Sequence, residues 1–197
     1  KAEWFVEKLA EIREVRVKRI YEMAAKLKDH GVDVDPEKVF ALSGPGVVGR
    51  LHLAIVLYNE GLVSSIGEAF RKYIGQKAPC CVKKFKLTPK EVIDMILKQG
   101  GVPVLAHPHV IGRDDLIPRL VEDGMRGIEV YHIEHAYNVM LHYEDIALEN
   151  GLIMTGGSDC HGTGKGSVLI GRIKVPYSVL EKLKKEAENI KKAHSAK

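Results

Sequence analysis

Apolar side chains in the first thirty residues recur at helical spacing. Phe5, Leu9, Ile12, Val17, Ile20, Met23 and Leu27 mark one stripe, and Val15 widens it. This predicts a helix over 2–30 that stops at Gly31, the residue type that best tolerates a left-handed C-terminal turn. Asp35 followed by Pro36 reads as an N-cap and first-turn proline, so a short helix begins there. Ser43-Gly44-Pro45-Gly46 is a turn. A helix over 47–60 ends at Gly61, and Ser64-Ser65 can cap another. No convincing strand pattern occurs before residue 76, which predicts a helical cluster over 1–76.

The pattern changes near residue 80. Ala78 to Phe85 reads as extended. Thr88-Pro89-Lys90-Glu91 is a capping box with proline in the first turn, and it starts a helix that runs to Lys98 before Gly100-Gly101. Short apolar runs at 102–106, 127–132 and 152–155 read as buried strands, with 168–174 strand-like. Helices over 114–123 and 135–149 separate them, and a last helix begins at Tyr177. Strands alternating with helices predict βαβ units and a parallel sheet. About four strands make half of a barrel rather than a closed one. The expected architecture is therefore α/β: a helical part over 1–76, then a barrel portion over 77–197.

Composition sets few further bounds. The chain has 197 residues, 45% hydrophobic and 28% charged, ample for a buried core. A net charge of +4 is too small to argue binding to duplex nucleic acid, and much of the basic excess lies between Lys182 and Lys192, where a solvated helix face explains it. Cys80, Cys81 and Cys160 have no disulfide or zinc-type spacing, so a reduced, cytoplasmic setting is expected. No apolar run approaches the length of a membrane span. The chain starts without methionine inside an amphipathic pattern, which suggests a fragment or processed product.

The candidate chemistry sits where strands end. Gly156-Gly157-Ser158-Asp159-Cys160-His161-Gly162 follows the strand at 152–155. In extended geometry Asp159 and His161 point the same way and can meet one divalent metal, while Cys160 points to the core. The strand at 102–106 ends in His107-Pro108-His109, and Pro108 should hold His107 extended. Two such strand ends predict a metal site at the mouth of a parallel barrel. Gly162-Thr163-Gly164-Lys165-Gly166 lacks phosphate-loop spacing, so triphosphate binding is not expected.

Several motifs, in order, resemble one family. Gly49-Arg50-Leu51-His52-Leu53-Ala54, Gly61 to Ile66 with Glu68-Ala69-Phe70, and Tyr73-Ile74-Gly75 are similar to the helical insertion of PHP-domain phosphoesterases. Ala106-His107-Pro108, Gly127 to His132 and Gly156 to Gly162 resemble the same family's later barrel motifs, nearest the branch of bacterial 3′,5′-nucleoside bisphosphate phosphatases and 5′-to-3′ exoribonucleases. The resemblance implies the C-terminal portion of a distorted (β/α)7 TIM-like barrel, the PHP fold, with an inserted helical subdomain and two or three metal ions. The family's N-terminal His-x-His elements have no counterpart in this chain, so an incomplete metal cluster is expected.

On this reading His107, Asp159 and His161 are metal ligands, for which manganese, zinc or iron are all suitable ions. Arg50, His52, Lys165 and His135 are candidate phosphate contacts; a planar guanidinium near a helix start suits a phosphate group. His132, at a strand's C-terminal end, is the candidate proton donor to the leaving oxygen. His109 is expected to be a supporting or solvent-facing residue, and Glu129 to be buried and paired. The implied substrates are phosphorylated nucleotides or short oligonucleotides, with self-association possible through open barrel edges. Two other readings compete: a catalytically incomplete C-terminal portion, and a different barrel metallohydrolase.

Overall fold

The computed structural model describes residues 2–83, 87–160 and 168–195. The chain divides into two compact units, Lys1–Lys86 and Leu87–Lys197.

The first unit is helical. Helix α1 spans Glu3–Asp29, α2 Pro36–Ser43, α3 Arg50–Asn59 and α4 Ile66–Ala69, the last running into a π-helical turn over Phe70–Ile74. The caps are those the sequence predicts. Asp35 accepts the Glu37 N–H at 2.9 Å, and the Ser65 hydroxyl accepts that of Glu68 at 3.0 Å. The core is built on Ile20, Met23, Leu27, Val39, Leu53, Leu57 and Ile74. Only the C-terminal half of the α1 stripe is buried, and Leu9 and Val17 stay exposed. Residues 78–80 form a bend and turn rather than the start of the expected extended segment, and the last two residues of that segment lie outside the described ones. A turn serves here because the buried Cys80 donates its N–H back to the Tyr73 carbonyl at 2.9 Å.

The second unit is α/β. Helix α5 covers Pro89–Lys98, strand β1 Val104–Leu105, α6 Pro108–Ile111, a 3-10 turn Asp114–Leu116, α7 Ile117–Glu122, β2 Gly127–His132, α8 Tyr137–Glu149, β3 Ile153–Gly157 and α9 Tyr177–Ser195. The Thr88–Glu91 capping box forms reciprocally at the start of α5. The sheet order is β1-β2-β3, all parallel, as alternation with helices requires. Ile93, Ile117, Ile128, Val130, Tyr143 and Ala147 fill the core between sheet and helices.

Three strands are present among the described residues, not four. Residues 168–174 form bends and turns. Val168 and Ile170 are 52% and 77% exposed, so their apolar pattern has no sheet face to bury. The β2–β3 ladder carries a register shift between Glu129 and Tyr131. At Gly156 the strands approach so closely that a Cβ would lie 2.4 Å from the Tyr131 carbonyl oxygen. Among the described residues, no helix is long and apolar enough to cross a membrane.

Candidate metal and phosphate site

The C-terminal ends of β1 and β2 deliver four histidines. His107 caps the short α6, His109 lies within it, His132 ends β2, and His135 follows in the turn before α8. The end of β3 leads directly to Asp159.

His107 is not extended. Its φ of 34° and ψ of 60° place it in the left-handed region, against the usual preference of a residue before proline. Asp159 has φ of 46°, so the extended geometry expected of the Asp-x-His motif fails at its first member. These are the two non-glycine residues with positive φ among those described. Such strain costs on the order of 1–3 kcal/mol per residue and persists where the surroundings enforce it. At His107 the enforcing group is identifiable: the Glu129 carboxylate accepts the His107 N–H at 2.7 Å. Glu129 is half-buried on β2, so the ladder fixes where that acceptor stands.

The His107 Nδ1 atom is buried and has no hydrogen-bond partner among the described residues. A buried imidazole nitrogen without a partner is costly in water-free surroundings. It fits a metal ligand, whose bond to the ion would satisfy it. Asp159 is exposed just beyond β3 and supplies a carboxylate of the kind such a site needs. His161 and Lys165 lie outside the described residues.

The other three histidines form a connected cluster. Their ligand-capable atoms all lie within 4.8 Å of one another. A carbonyl only accepts, so the 2.7 Å contact from His135 Nδ1 to the Val130 oxygen places a proton on that nitrogen. His135 Nε2 meets His109 Nδ1 at 2.7 Å, and His109 Nε2 meets the Glu134 carboxylate at 3.2 Å. Three contacts need three protons over four ring nitrogens, so the pair carries one positive charge when all are made. Burial, followed by its histidine neighbours, lowers the His135 pKa below the ordinary imidazole value, although the Val130 bond works against this.

His132 differs from its neighbours. It is 2% exposed, and its Nδ1 accepts the Glu134 backbone N–H at 3.2 Å. The neutral ring then carries its proton on Nε2, a buried atom without a partner among the described residues. Ligation through Nε2 would put a proton on Nδ1 and set donor against donor. The cluster therefore suits His109 and His135 as cation ligands better than His132, whose Nε2–H faces the cluster as a donor.

The sequence did not single out His109. Its spacing carries no signal, because its partner His135 stands 26 residues farther along the chain and is met only through the fold. Cys160 is half-buried and accepts the Leu169 N–H at 3.3 Å.

In the helical unit, Arg50 and His52 open α3. Arg50 donates to the Ile74 carbonyl at 3.1 Å and lies 5.8 Å over the Phe70 ring. The π-helical turn builds that acceptor, and Gly75 is required behind it because a Cβ would sit 2.3 Å from the Phe70 oxygen. His52 Nδ1 accepts the Gly49 N–H at 3.1 Å and so caps its own helix.

No family model matches the chain. It is 32% identical over 170 residues to the 3′,5′-nucleoside bisphosphate phosphatase of Chromobacterium violaceum, covering 83% of this chain and 59% of that protein. It is 31% identical over 161 residues to the 5′-3′ exoribonuclease Rnm of Escherichia coli, covering 78% and 54%. The chain thus spans about half the length of the curated relatives it matches. Among solved structures it resembles a metal-dependent phosphoesterase, so described, of Bifidobacterium adolescentis, with TM-score 0.77 and 27% identity over 90% of this chain and 64% of that one.

Proposed function

The chain belongs to the PHP-type phosphoesterases, and from that premise we propose that it serves metal-dependent hydrolysis of phosphate monoesters on nucleotides or short RNA 5′ ends. The carrying observation is the buried, partnerless Nδ1 of His107 on a backbone held left-handed at a strand mouth.

In this reading the parallel sheet is part of a distorted (β/α)7 barrel, and His107 and Asp159 hold divalent metal together with His161, whose place in the motif assigns it the same role. Imidazole and carboxylate donors suit manganese, zinc or iron. When bound, such ions neutralise phosphate oxygens and bring water to a usable acidity near neutral pH. The chain's own residues do the rest. His132, fixed as the Nε2–H tautomer by the Glu134 N–H, offers that N–H as a hydrogen bond to the phosphate or the leaving oxygen, and proton donation from it would require the ring to be charged and the Glu134 contact given up. The His109–His135 pair offers imidazole nitrogens for a cation beside His132. Arg50, with donors beyond the one given to Ile74, and His52 are the phosphate contacts of the helical unit, and Lys165 is a further positive charge for phosphate.

The test is phosphate release from 3′-phosphoadenosine 5′-phosphate with added Mn²⁺, beside metal analysis of the same sample. His107→Ala and Asp159→Asn should each lower turnover at least ~100-fold and lower bound metal. Turnover that survives both substitutions, or survives a strong chelator, refutes the proposal. The coverage of about half of each relative favours a second reading, in which further barrel segments complete the site. It expects metal bound weakly, through His107, and no turnover by this chain alone.

A further inference from the structure

The helical unit contains a cavity of about 330 Å³ that the reading above does not use. One face of α1 lines it with Arg13, Arg16 and Tyr21, and the chain around α2 closes it with Glu37, Phe40 and Gly46. Neither Arg13 nor Arg16 has a carboxylate within ion-pair distance among the described residues, whereas Arg113, Arg119 and Arg126 all do. Two unpaired guanidiniums on adjacent helical turns repel each other unless an anion sits between them.

The wall beside them is aromatic and fixed. The Tyr21 hydroxyl donates to Glu37 at 2.6 Å, and its ring lies 5.2 Å from that of Phe40 at 50°. Tyr21 remains 46% exposed, so a flat surface is open to a ligand while its rotamer is locked. Glu37 is the carboxylate of the lining, and the phenol already occupies one of its oxygens. Guanidiniums select phosphate through parallel hydrogen bonds, and an aromatic ring selects a nucleobase through stacking. The volume matches one nucleotide, at the small end of ligand pockets.

We propose that this cavity binds one nucleotide of a single-stranded oligonucleotide, in addition to the nucleotide whose phosphate is hydrolysed. Its phosphate lies between Arg13 and Arg16, and its base stacks on Tyr21. The proposal rests on the oligonucleotide reading of the substrate, and makes chain length a determinant of affinity.

The test uses metal-free protein, so that nothing is turned over, titrated with 5′-phosphorylated fluorescent RNAs of two and five nucleotides. Wild type should bind the longer RNA more tightly. Arg13→Ala/Arg16→Ala should lose that gain, ~10-fold or more, and flatten the salt dependence by about 0.7 in log–log slope, for the one phosphate no longer neutralised. Tyr21→Ala should weaken binding ~5-fold or more, while Tyr21→Phe, which keeps the ring but releases Glu37, should lose clearly less than Tyr21→Ala. Lys8→Ala/Lys18→Ala, equal in charge change and on the same helix, serves as the control. Equal affinity for both lengths, a loss no greater than the control's, or competition by millimolar inorganic phosphate as effective as by the oligonucleotide would each overturn the site. Phosphate release is scored separately: length-dependent binding without any release refutes turnover by this chain alone and leaves this site standing.

Discussion

Replacing Glu129 by alanine should loosen His107 and weaken metal binding together. The carboxylate accepts the His107 N–H at 2.7 Å and holds that residue at φ 34°. A hydrogen bond to a charged acceptor contributes about 1.5–3 kcal/mol, and its loss also strands a partly buried N–H. The left-handed backbone, itself costing on the order of 1–3 kcal/mol, then has less to enforce it. We expect about 2–3 kcal/mol less stability, measured by urea unfolding followed by circular dichroism. Displacing a group that orients a metal ligand lowers metal affinity by about 10- to 100-fold, measured by competition with a chromogenic chelator. Glu129→Gln keeps an acceptor oxygen at the same reach and should lose roughly half as much, because neutral acceptors bond about half as strongly. An alanine variant that matches wild type in both assays, or a glutamine variant as damaging as alanine, would refute this role of Glu129. Equal damage would mean that charge, not the hydrogen bond, is what Glu129 supplies.

Two further outcomes follow from the second unit. Burial, reinforced by the Asp114 carboxylate, pushes the Tyr143 phenol up to about 12. Its folded pKa exceeds the unfolded value, so the protonated ring stabilises the fold below about pH 10, and the contribution of ~2–3 kcal/mol is lost as pH rises from 10 towards 12. Urea midpoints at pH 9 and pH 11 should therefore diverge in wild type and converge in Tyr143→Phe; parallel behaviour of the two proteins would refute this. Gly156→Ala should destabilise the β2–β3 pairing by ~2 kcal/mol or more, since its Cβ would meet the Tyr131 oxygen at 2.4 Å, whereas Gly157→Ala meets Glu129 at an ordinary 3.6 Å and should be nearly neutral in a thermal melt.

The sequence by itself determined the elements whose signals are local. Asp35, Ser65 and the Thr88–Glu91 box fix helix starts through bonds spanning two to three residues. The apolar runs of β2 and β3 are legible for the same reason: each is a short apolar stretch bounded by polar and glycine residues close by in the chain. His107 and Asp159 could be singled out because strand ends in α/β folds are where ligands gather.

The tertiary structure alone decided what depends on partners distant in the chain. Whether 168–174 pairs as a strand depends on an available edge, and its own alternation cannot report one. His107 is left-handed because Glu129, 22 residues away, captures its N–H, which overrides the extended preference imposed by Pro108. His109 became chemically interesting only when β1 and β2 aligned to bring it 2.7 Å from His135. Nothing in the sequence sets Arg13 and Arg16 apart, and it is the fold that places them in one cavity lining with Tyr21, with no carboxylate at ion-pair distance among the described residues. Hydrogen bonds and charge pairs act over a few ångströms in space, so chain spacing predicts them within a helical turn and no farther.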